Sequence, residues 1–324
     1  MKPNLIGLKC IKRIMSKLRN LVSAIAQHFP ATVVRTRYFL RFNKFPNLKN
    51  PQNLNEKILH QKLYSDTSRW TVLADKIRVR EYVKECGLED ALIPLYGAWK
   101  SADEIPFEEL PEEFMLKSNN GDGRGTFLAV RNKSKLTENE ISKIRAEVDR
   151  WLSARHIGAL SADPQYKDIP PMVMAEKLLP FDKKNGSIID YKLWCFCGKP
   201  HSFFVCIDRK SDGGHASVNC YDLEWNAHPE RMNSSEKYPL YTQSIPCPNG
   251  LQDMIRYAKI LSKPFPQVRV DFYEVDGKVY FGELTFSSLG GMITWYKPWY
   301  LMEKGNLVDL KYNGESRDIT SPLS

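Results

Sequence analysis

Apolar positions recur every second residue in the later part of the chain and every third or fourth residue in the earlier part. Val268, Val270 and Phe272 alternate with Arg269 and Asp271, and Tyr280–Thr285 forms a second run of the same kind. Period two marks strands. Asp276-Gly277 between the runs predicts a tight hairpin. Pairing them sets Asp271 and Glu283 close together on one face. Further strands are predicted over 113–117, 126–130, 171–178, 189–197 and 200–207, with Gly198-Lys199 turning the last two into a hairpin. Residues 91–99 read as a strand interrupted by Pro94. Helical spacing covers 53–64, 68–86 and about 249–262, with Gly87 as a stop for the second. A further helix runs to about 157 from Thr137, where Thr137 and Glu140 fit a capping box. The pattern is α+β with antiparallel hairpins. A doubly wound parallel sheet would need a regular strand–helix alternation that this sequence lacks.

The net charge of +9 is unevenly spread. Residues 1–50 hold 11 Lys or Arg and no Asp or Glu, leaving 36 basic against 38 acidic residues elsewhere. The basicity belongs to an N-terminal arm, and total charge therefore gives no argument for a nucleic-acid partner. In the arm, Leu5, Leu8, Ile11, Met15, Leu18, Val22 and Ile25 recur at helical spacing, interleaved with Lys9, Lys12, Arg13, Lys17 and Arg19. Such a helix suits an anionic membrane surface, contacted through residues 1–30, or docking on its own domain. Its charges break the apolar run that a secretory signal needs. No stretch approaches the roughly 18 apolar residues of a membrane span. The seven cysteines are odd in number and none has CxxC spacing, so reduced cytoplasmic thiols are expected. Cys195, Cys197, Cys206 and Cys220 form an alternative zinc set, against the commoner reading as small buried apolar residues.

Several segments carry candidate chemistry. Two carboxylates held together in an apolar sheet repel and call for a cation. Oxygen ligands suit Mg²⁺, which usually arrives with phosphates. The plainer alternative is a hairpin whose acids face solvent or meet lysines. Phe114-Met115-Leu116-Lys117 leads into a loop with Gly121, Gly123 and Gly125. Glycines let backbone N–H groups approach an anion, and Lys117 adds a point charge. A strand follows rather than a helix, which excludes a Walker loop and a dinucleotide fingerprint. Val173–Leu179 is an apolar strand ending beside Glu176 and Lys177, either plain core or the wall of a base slot. Asp190 and Lys192 share a face of the next strand. Arg209 and Lys210 follow its hairpin partner and could clamp phosphate oxygens or form surface ion pairs. His215 sits in a glycine-rich loop as a general-base candidate.

The ordered set Ala74-Asp75-Lys76, Lys117 with its glycine loop, Ala175-Glu176-Lys177, Asp190-Tyr191-Lys192, Arg269-Val270-Asp271 and Gly282-Glu283-Leu284-Thr285 resembles the ATP-grasp superfamily. The strings LNEKI, FMLKSNNGDG, DYKLWCFCGKP and VRVDFYEVDGKVYFGELTF are similar to its TupA-like branch, the teichuronopeptide-biosynthesis type. The resemblance spans roughly residues 50–310. It implies ATP clasped between two α+β lobes, a small lobe over 111–180 and a large lobe over 181–324; ahead of them the residues themselves read as a helical basic arm over 1–50 and a helical region over 51–110, where such enzymes usually begin with an α/β domain. Lys76 and Lys117 would contact phosphates under the loop of Gly121, Gly123 and Gly125. Glu176, Lys177 and Leu178 would read adenine, and Asp182 or Asp190 the ribose. Asp271 and Glu283 would carry Mg²⁺, with Thr285 standing where many members have Asn. Arg209, Arg269 and Lys192 would act on the migrating phosphoryl group. The implied reaction phosphorylates a carboxylate, and an amine then displaces phosphate to leave an amide. The branch's association with polysaccharide assembly implies a glycan or lipid-linked saccharide carboxylate and an amine, such as an amino acid, at the inner membrane face. A glycosyltransferase or glycan kinase, and a non-catalytic nucleotide-binding scaffold, are the alternatives. Deleting residues 1–30 is expected to weaken sedimentation with anionic liposomes and to spare ATP binding. Unchanged sedimentation would refute the membrane role of the arm.

Overall fold

A computed structural model describes residues 21–121, 125–154, 157–180, 188–208 and 215–314. Residues 21–26 are helical. Four helices follow: α1 (Pro30–Phe42), α2 (Leu54–Tyr64), α3 (Ser68–Ala74) and α4 (Val79–Glu85). Pro30 opens α1, where its missing N–H costs nothing. Asn53 caps α2 by accepting from the Glu56 N–H at 3.1 Å. The spacing over 68–86 predicts one helix, but the structure has two. Asp75 Oδ1 accepts the Ile77 N–H at 2.9 Å and the Arg78 N–H at 3.4 Å, ending one helix and capping the next.

The strands form two antiparallel sheets. The smaller has the order β1 (Leu95–Trp99), β4 (Val173–Lys177), β2 (Phe114–Ser118), β3 (Phe127–Val130). The larger has the order β7 (Ser217–Tyr221), β6 (Lys199–Ile207), β5 (Asp190–Phe196), β8 (Gln267–Val275), β9 (Lys278–Thr285). Both expected hairpin turns form. Asp276 and Gly277 have φ of 51° and 78°, and Cys197 and Gly198 have 47° and 73°, the left-handed pairs of a two-residue turn. Three helices complete the described fold: α5 (Glu138–Leu152), α6 (Leu251–Ser262) and α7 (Pro298–Asn306). Thr137 and Glu140 close the expected capping box on α5.

Each sheet buries one face under a helix. Phe114, Leu116, Val173 and Ala175 pack with Ile144, Val148 and Trp151 of α5. Leu193, Val268, Val270 and Phe272 pack with Met254, Ala258 and Leu261 of α6. The opposite face of the large sheet carries a second cluster, in which Trp194, Phe196 and Phe204 meet Tyr296, Tyr300 and Leu301. This arrangement overturns the four-cysteine zinc set. Cys195 points into the α6 core, Cys206 and Cys220 into the opposite cluster, and Cys197 occupies the turn. A strand's alternation separates the thiols by the thickness of the sheet. Among the described residues no cluster of three or more His, Cys, Asp or Glu side chains could hold a metal ion, and no helix is long and apolar enough to cross a membrane. Cys10 lies outside the described residues.

Lys304 of α7 is fully buried in this second cluster. It donates to Ser202 Oγ at 2.6 Å and lies 4.7–5.6 Å from the ring centroids of Trp194, Phe196, Tyr296 and Tyr300. Desolvation pushes its pKa down to about 7. In the unfolded chain the value is about 10.4. Between these values the unfolded chain holds a proton that the native state gives up, so stability rises with pH across that window. Urea denaturation at pH 7, 8 and 9 should show a gain of about 1 kcal/mol per pH unit. In Lys304→Met that gain should disappear. A slope that Met leaves unchanged would show another group to be responsible.

Candidate active site

The faces of the two sheets not covered by α5 and α6 border a cleft of about 1360 Å³. From the small sheet, Met115, Lys117 and Glu176 line it. From the large sheet come Asp190, Lys192, Arg269, Asp271, Glu283 and Thr285. Strand alternation explains the selection. Lys117 lies two residues from Met115 on β2, and Arg269 and Asp271 are the polar positions between core-facing Val268, Val270 and Phe272.

The β8–β9 register places Asp271 opposite Glu283 and Arg269 opposite Thr285. A bulge then inserts Gly282, so that Phe272 pairs with Phe281. The extra residue resets the phase of β9. Leu284 and Phe281, three residues apart, both reach the α6 core while Glu283 stays beside Asp271. A Cβ on Gly282 would lie 3.0 Å from the Asp271 carbonyl oxygen. The plain alternation read from the sequence did not contain this step.

Asp271 is almost fully buried and is held by two cations. Arg269 Nε donates to Oδ1 at 2.6 Å, and Arg269 Nη2 to Oδ2 at 2.7 Å. Lys192, its partner across the β5–β8 ladder, donates to Oδ2 at 2.5 Å. Burial alone would raise the Asp271 pKa, but Arg269 and Lys192 outweigh it and hold the group below its ordinary value. Burial likewise works to lower the Lys192 pKa, but the Asp190 and Asp271 carboxylates reverse it and leave the value raised. The same competition, dominated by Asp271, leaves Arg269 raised. All three groups therefore stay charged around neutral pH. Arg269 also donates to Ser288 Oγ at 2.6 Å and to Thr285 Oγ1 at 3.1 Å, and the Thr285 hydroxyl meets Glu283 Oε1 at 3.2 Å. Ser288 was not singled out from the sequence, since nothing local ties it to a residue 19 positions earlier.

Asp271, Glu283 and Thr285 form an oxygen-only donor set on one face, which fits a hard cation. Glu283 has 44% of its side chain exposed, whereas both Asp271 oxygens already accept from cations. With Asp271 already paired and Glu283 the more open carboxylate, the residues fit an ion that takes most of its ligands from phosphate and water, as Mg²⁺ does.

On the small sheet, Lys117 bonds Glu176 across the β2–β4 ladder. Lys76 lies in the break between α3 and α4. Its Nζ donates to the Gly121 carbonyl at 2.9 Å and its N–H to the Asn119 carbonyl at 3.1 Å. Asn119 joins this turn to two strands. Its amide nitrogen donates to Asp75 Oδ1 at 3.1 Å and to the Pro170 carbonyl at 3.0 Å, and its Oδ1 accepts the Met172 N–H at 2.8 Å. Burial raises the Asp75 pKa against those hydrogen bonds.

Lys76, Gly121, Lys177, Leu178 and Asp190 also line the cleft. Gly125 is described but is not among its lining residues, and His215 is not either. Gly123, Asp182 and Arg209 lie outside the described residues.

The cleft thus gathers cations from two antiparallel sheets around paired carboxylates. The chain matches the TupA-like ATPgrasp family over residues 56–300 and belongs to it. ATP-grasp enzymes are ATP-dependent ligases. Similar solved structures include D-alanine–D-alanine ligase from Bacillus anthracis, with 14% identity, a TM-score of 0.42, and 73% of this chain and 68% of that chain covered. The ATP-grasp ligase PsnB, complexed with a phosphomimetic variant of its minimal precursor, Mg and ADP, is similar at 14% identity and a TM-score of 0.39, over 74% of this chain and 59% of that one. N5-carboxyaminoimidazole ribonucleotide synthetase from Thermus thermophilus is similar at 13% identity and a TM-score of 0.35, over 69% and 48%. The chain thus spans between about half and two thirds of the length of these structures. No curated protein resembles the chain closely enough to count as a match.

Removing the Asp271 charge leaves the buried Arg269 and Lys192 with only the more distant carboxylates of Glu283, at 3.7 Å, and Asp190, at 3.9 Å. Asp271→Asn is therefore expected to lower unfolding free energy by about 3–5 kcal/mol. Glu283→Gln, at a half-exposed position, should cost about 1 kcal/mol or less. Urea titrations of the two variants compare them directly, and equal losses would contradict the network.

Proposed function

We propose that the chain is an ATP-dependent carboxylate–amine ligase that modifies a cell-surface polysaccharide or its precursor. The observation that carries this reading is the shared cleft, which Lys76 and Lys117 line together with Asp271 and Glu283. ATP would lie with its phosphates against the two lysines and Gly121. Because the Lys177 N–H is bonded to the Pro94 carbonyl at 2.9 Å, base reading falls to the backbone at Leu178 and to the Glu176 carboxylate. Asp190, with Asp182, is the ribose candidate. Mg²⁺ held by Asp271, Glu283 and Thr285 would neutralise charge on the triphosphate.

In the first step an acceptor carboxylate oxygen bonds to the γ-phosphorus as its bond to the ADP oxygen breaks. In the second, an amine nitrogen attacks the acyl carbon, inorganic phosphate leaves, and the amine proton passes to solvent. Arg269 and Lys192 stay cationic and can stabilise the charge on the moving phosphoryl group, with Arg209 as a further contributor. Their rigid pairing to Asp271 fixes their positions before substrate arrives. Exclusion of water on closure of the cleft would protect the acyl-phosphate.

The arm supports a peripheral site at the inner membrane face. Residues 1–50 carry no acid, and Leu21, Val22, Ile25 and Phe29 are exposed. A lipid-linked saccharide would be presented there.

Lys117→Ala and Glu283→Gln should each abolish ATP turnover while circular dichroism remains native. Near-normal ADP production from either variant would overturn the site assignment. Sugar transfer from a sugar nucleotide in the absence of ATP would replace the ligase reading with a glycosyltransferase.

A further inference from the structure

One wall of the cleft comes from α1, which precedes the family-matched residues 56–300. Arg37, Leu40 and Arg41 of α1 line the cleft. Arg37 and Arg41 are one helical turn apart and so share a face. Both are solvent-exposed. Arg37 donates to the Leu160 carbonyl and Arg41 to Thr294 Oγ1 at 3.2 Å, which aims both guanidinium groups inward from the helix. Each contact uses a single N–H of a group that has five.

The residue after Thr294 is Trp295. It lines the cleft, lies 5.7 Å from the Tyr238 ring, and has a buried indole N–H without a partner. Tyr238 also lines the cleft, with the exposed Lys237 ammonium 5.1 Å from its ring centroid. The Asp163 carboxylate, close in sequence to the Leu160 acceptor, is already neutralised by the buried Lys62 at 2.8 Å. Over the whole cleft, basic side chains outnumber carboxylates two to one. The nucleotide site absorbs Lys76 and Lys117, and the Asp271 network absorbs Lys192 and Arg269. Of the six basic residues that remain, Arg37 and Arg41 lie on α1 and Lys237 beside Tyr238, as positive charge with no assigned anion.

We propose that α1 forms the acceptor wall of the cleft, and that Arg37 and Arg41, with Lys237, bind an acceptor saccharide bearing more than one anionic group. This deepens the ligase reading and rests on it. A guanidinium fork matches carboxylate and phosphate oxygens in pairs. The half-buried Tyr238 ring, backed by the buried Trp295, offers apolar surface to the C–H face of a pyranose. One acceptor carboxylate would be the group activated, and the others would anchor the chain to α1. Uronate and phosphorylated glycans share this chemistry.

Calorimetric titration of the full chain, loaded with Mg²⁺ and a non-hydrolysable ATP analogue, separates the possibilities. The probes are tetragalacturonate, maltotetraose of equal length and inorganic tripolyphosphate. Tetragalacturonate should bind, and maltotetraose should bind at least about tenfold more weakly. Arg37→Ala/Arg41→Ala should weaken tetragalacturonate by about tenfold or more and leave the affinity for the analogue within about twofold. Arg37→Lys/Arg41→Lys should recover part of that loss. Three results would each overturn the inference: absence of tetragalacturonate binding by the wild type, equal binding of maltotetraose, or unchanged tetragalacturonate affinity in the double Ala variant. Tight tripolyphosphate binding that the double variant abolishes, without tetragalacturonate binding, would mark a bare phosphate site and overturn the saccharide class. ADP release by the same wild-type preparation reports on the ligase reading separately, since acceptor affinity is read without turnover.

Discussion

Asp271 sits almost dry between Arg269 and Lys192, and the placement of the other groups in the cleft depends on that ion triad. Three charges withdrawn from water carry a large desolvation cost, which only short, well-aligned contacts offset. The bidentate Arg269–Asp271 contact supplies that alignment. It fixes the carboxylate plane, and Arg269 in turn orients Thr285 and Ser288. The triad leaves Glu283 as the outward carboxylate, half in solvent and beside the hydroxyl of Thr285. An anionic phosphate entering the cleft meets cations that are already in position, so little reorganisation is needed when charge moves.

The two sheets share one scheme. Each devotes alternate residues to a helix-covered core and the rest to the cleft, which lets short strands carry both stability and chemistry. On the large sheet, the bulge at Gly282 is the local adjustment that makes this possible. Without it, either Phe281 would leave the α6 core or Glu283 would leave the face of Asp271. The glycine at that position avoids crowding the Asp271 backbone.

Much of this was legible where the signal was local. The Asp276-Gly277 turn, the Thr137–Glu140 capping box and the alternation around Asp271 are set by neighbouring residues, and each formed as read. Features decided by distant groups were not legible. The break at Asp75 comes from a side chain competing for backbone N–H groups, which helical spacing cannot register. Strand β7 is short and follows a glycine-rich stretch. Helix α7 was not read as an element, and α1 only as part of a helical arm over 1–50, because their apolar positions depend on what they pack against. The cysteine set failed because strand parity counts along one strand and says nothing about the neighbour's facing. Acid pairing on β8 and β9 was foreseen, but the sequence left open whether lysines, solvent or a metal met those acids. In the structure Lys192 and Arg269 take Asp271, while Glu283 remains available.

The side chain of Asn119 bonds to the helical turn that carries Lys76, to the Pro170 carbonyl and to the chain entering β4, and its own backbone extends β2 beyond Lys117. The helices on either side of Lys76 pack in the core of the large sheet through Trp70, Leu73, Val79 and Tyr82, so Asn119 is the knot that ties the small sheet to the large one beside the lysine site.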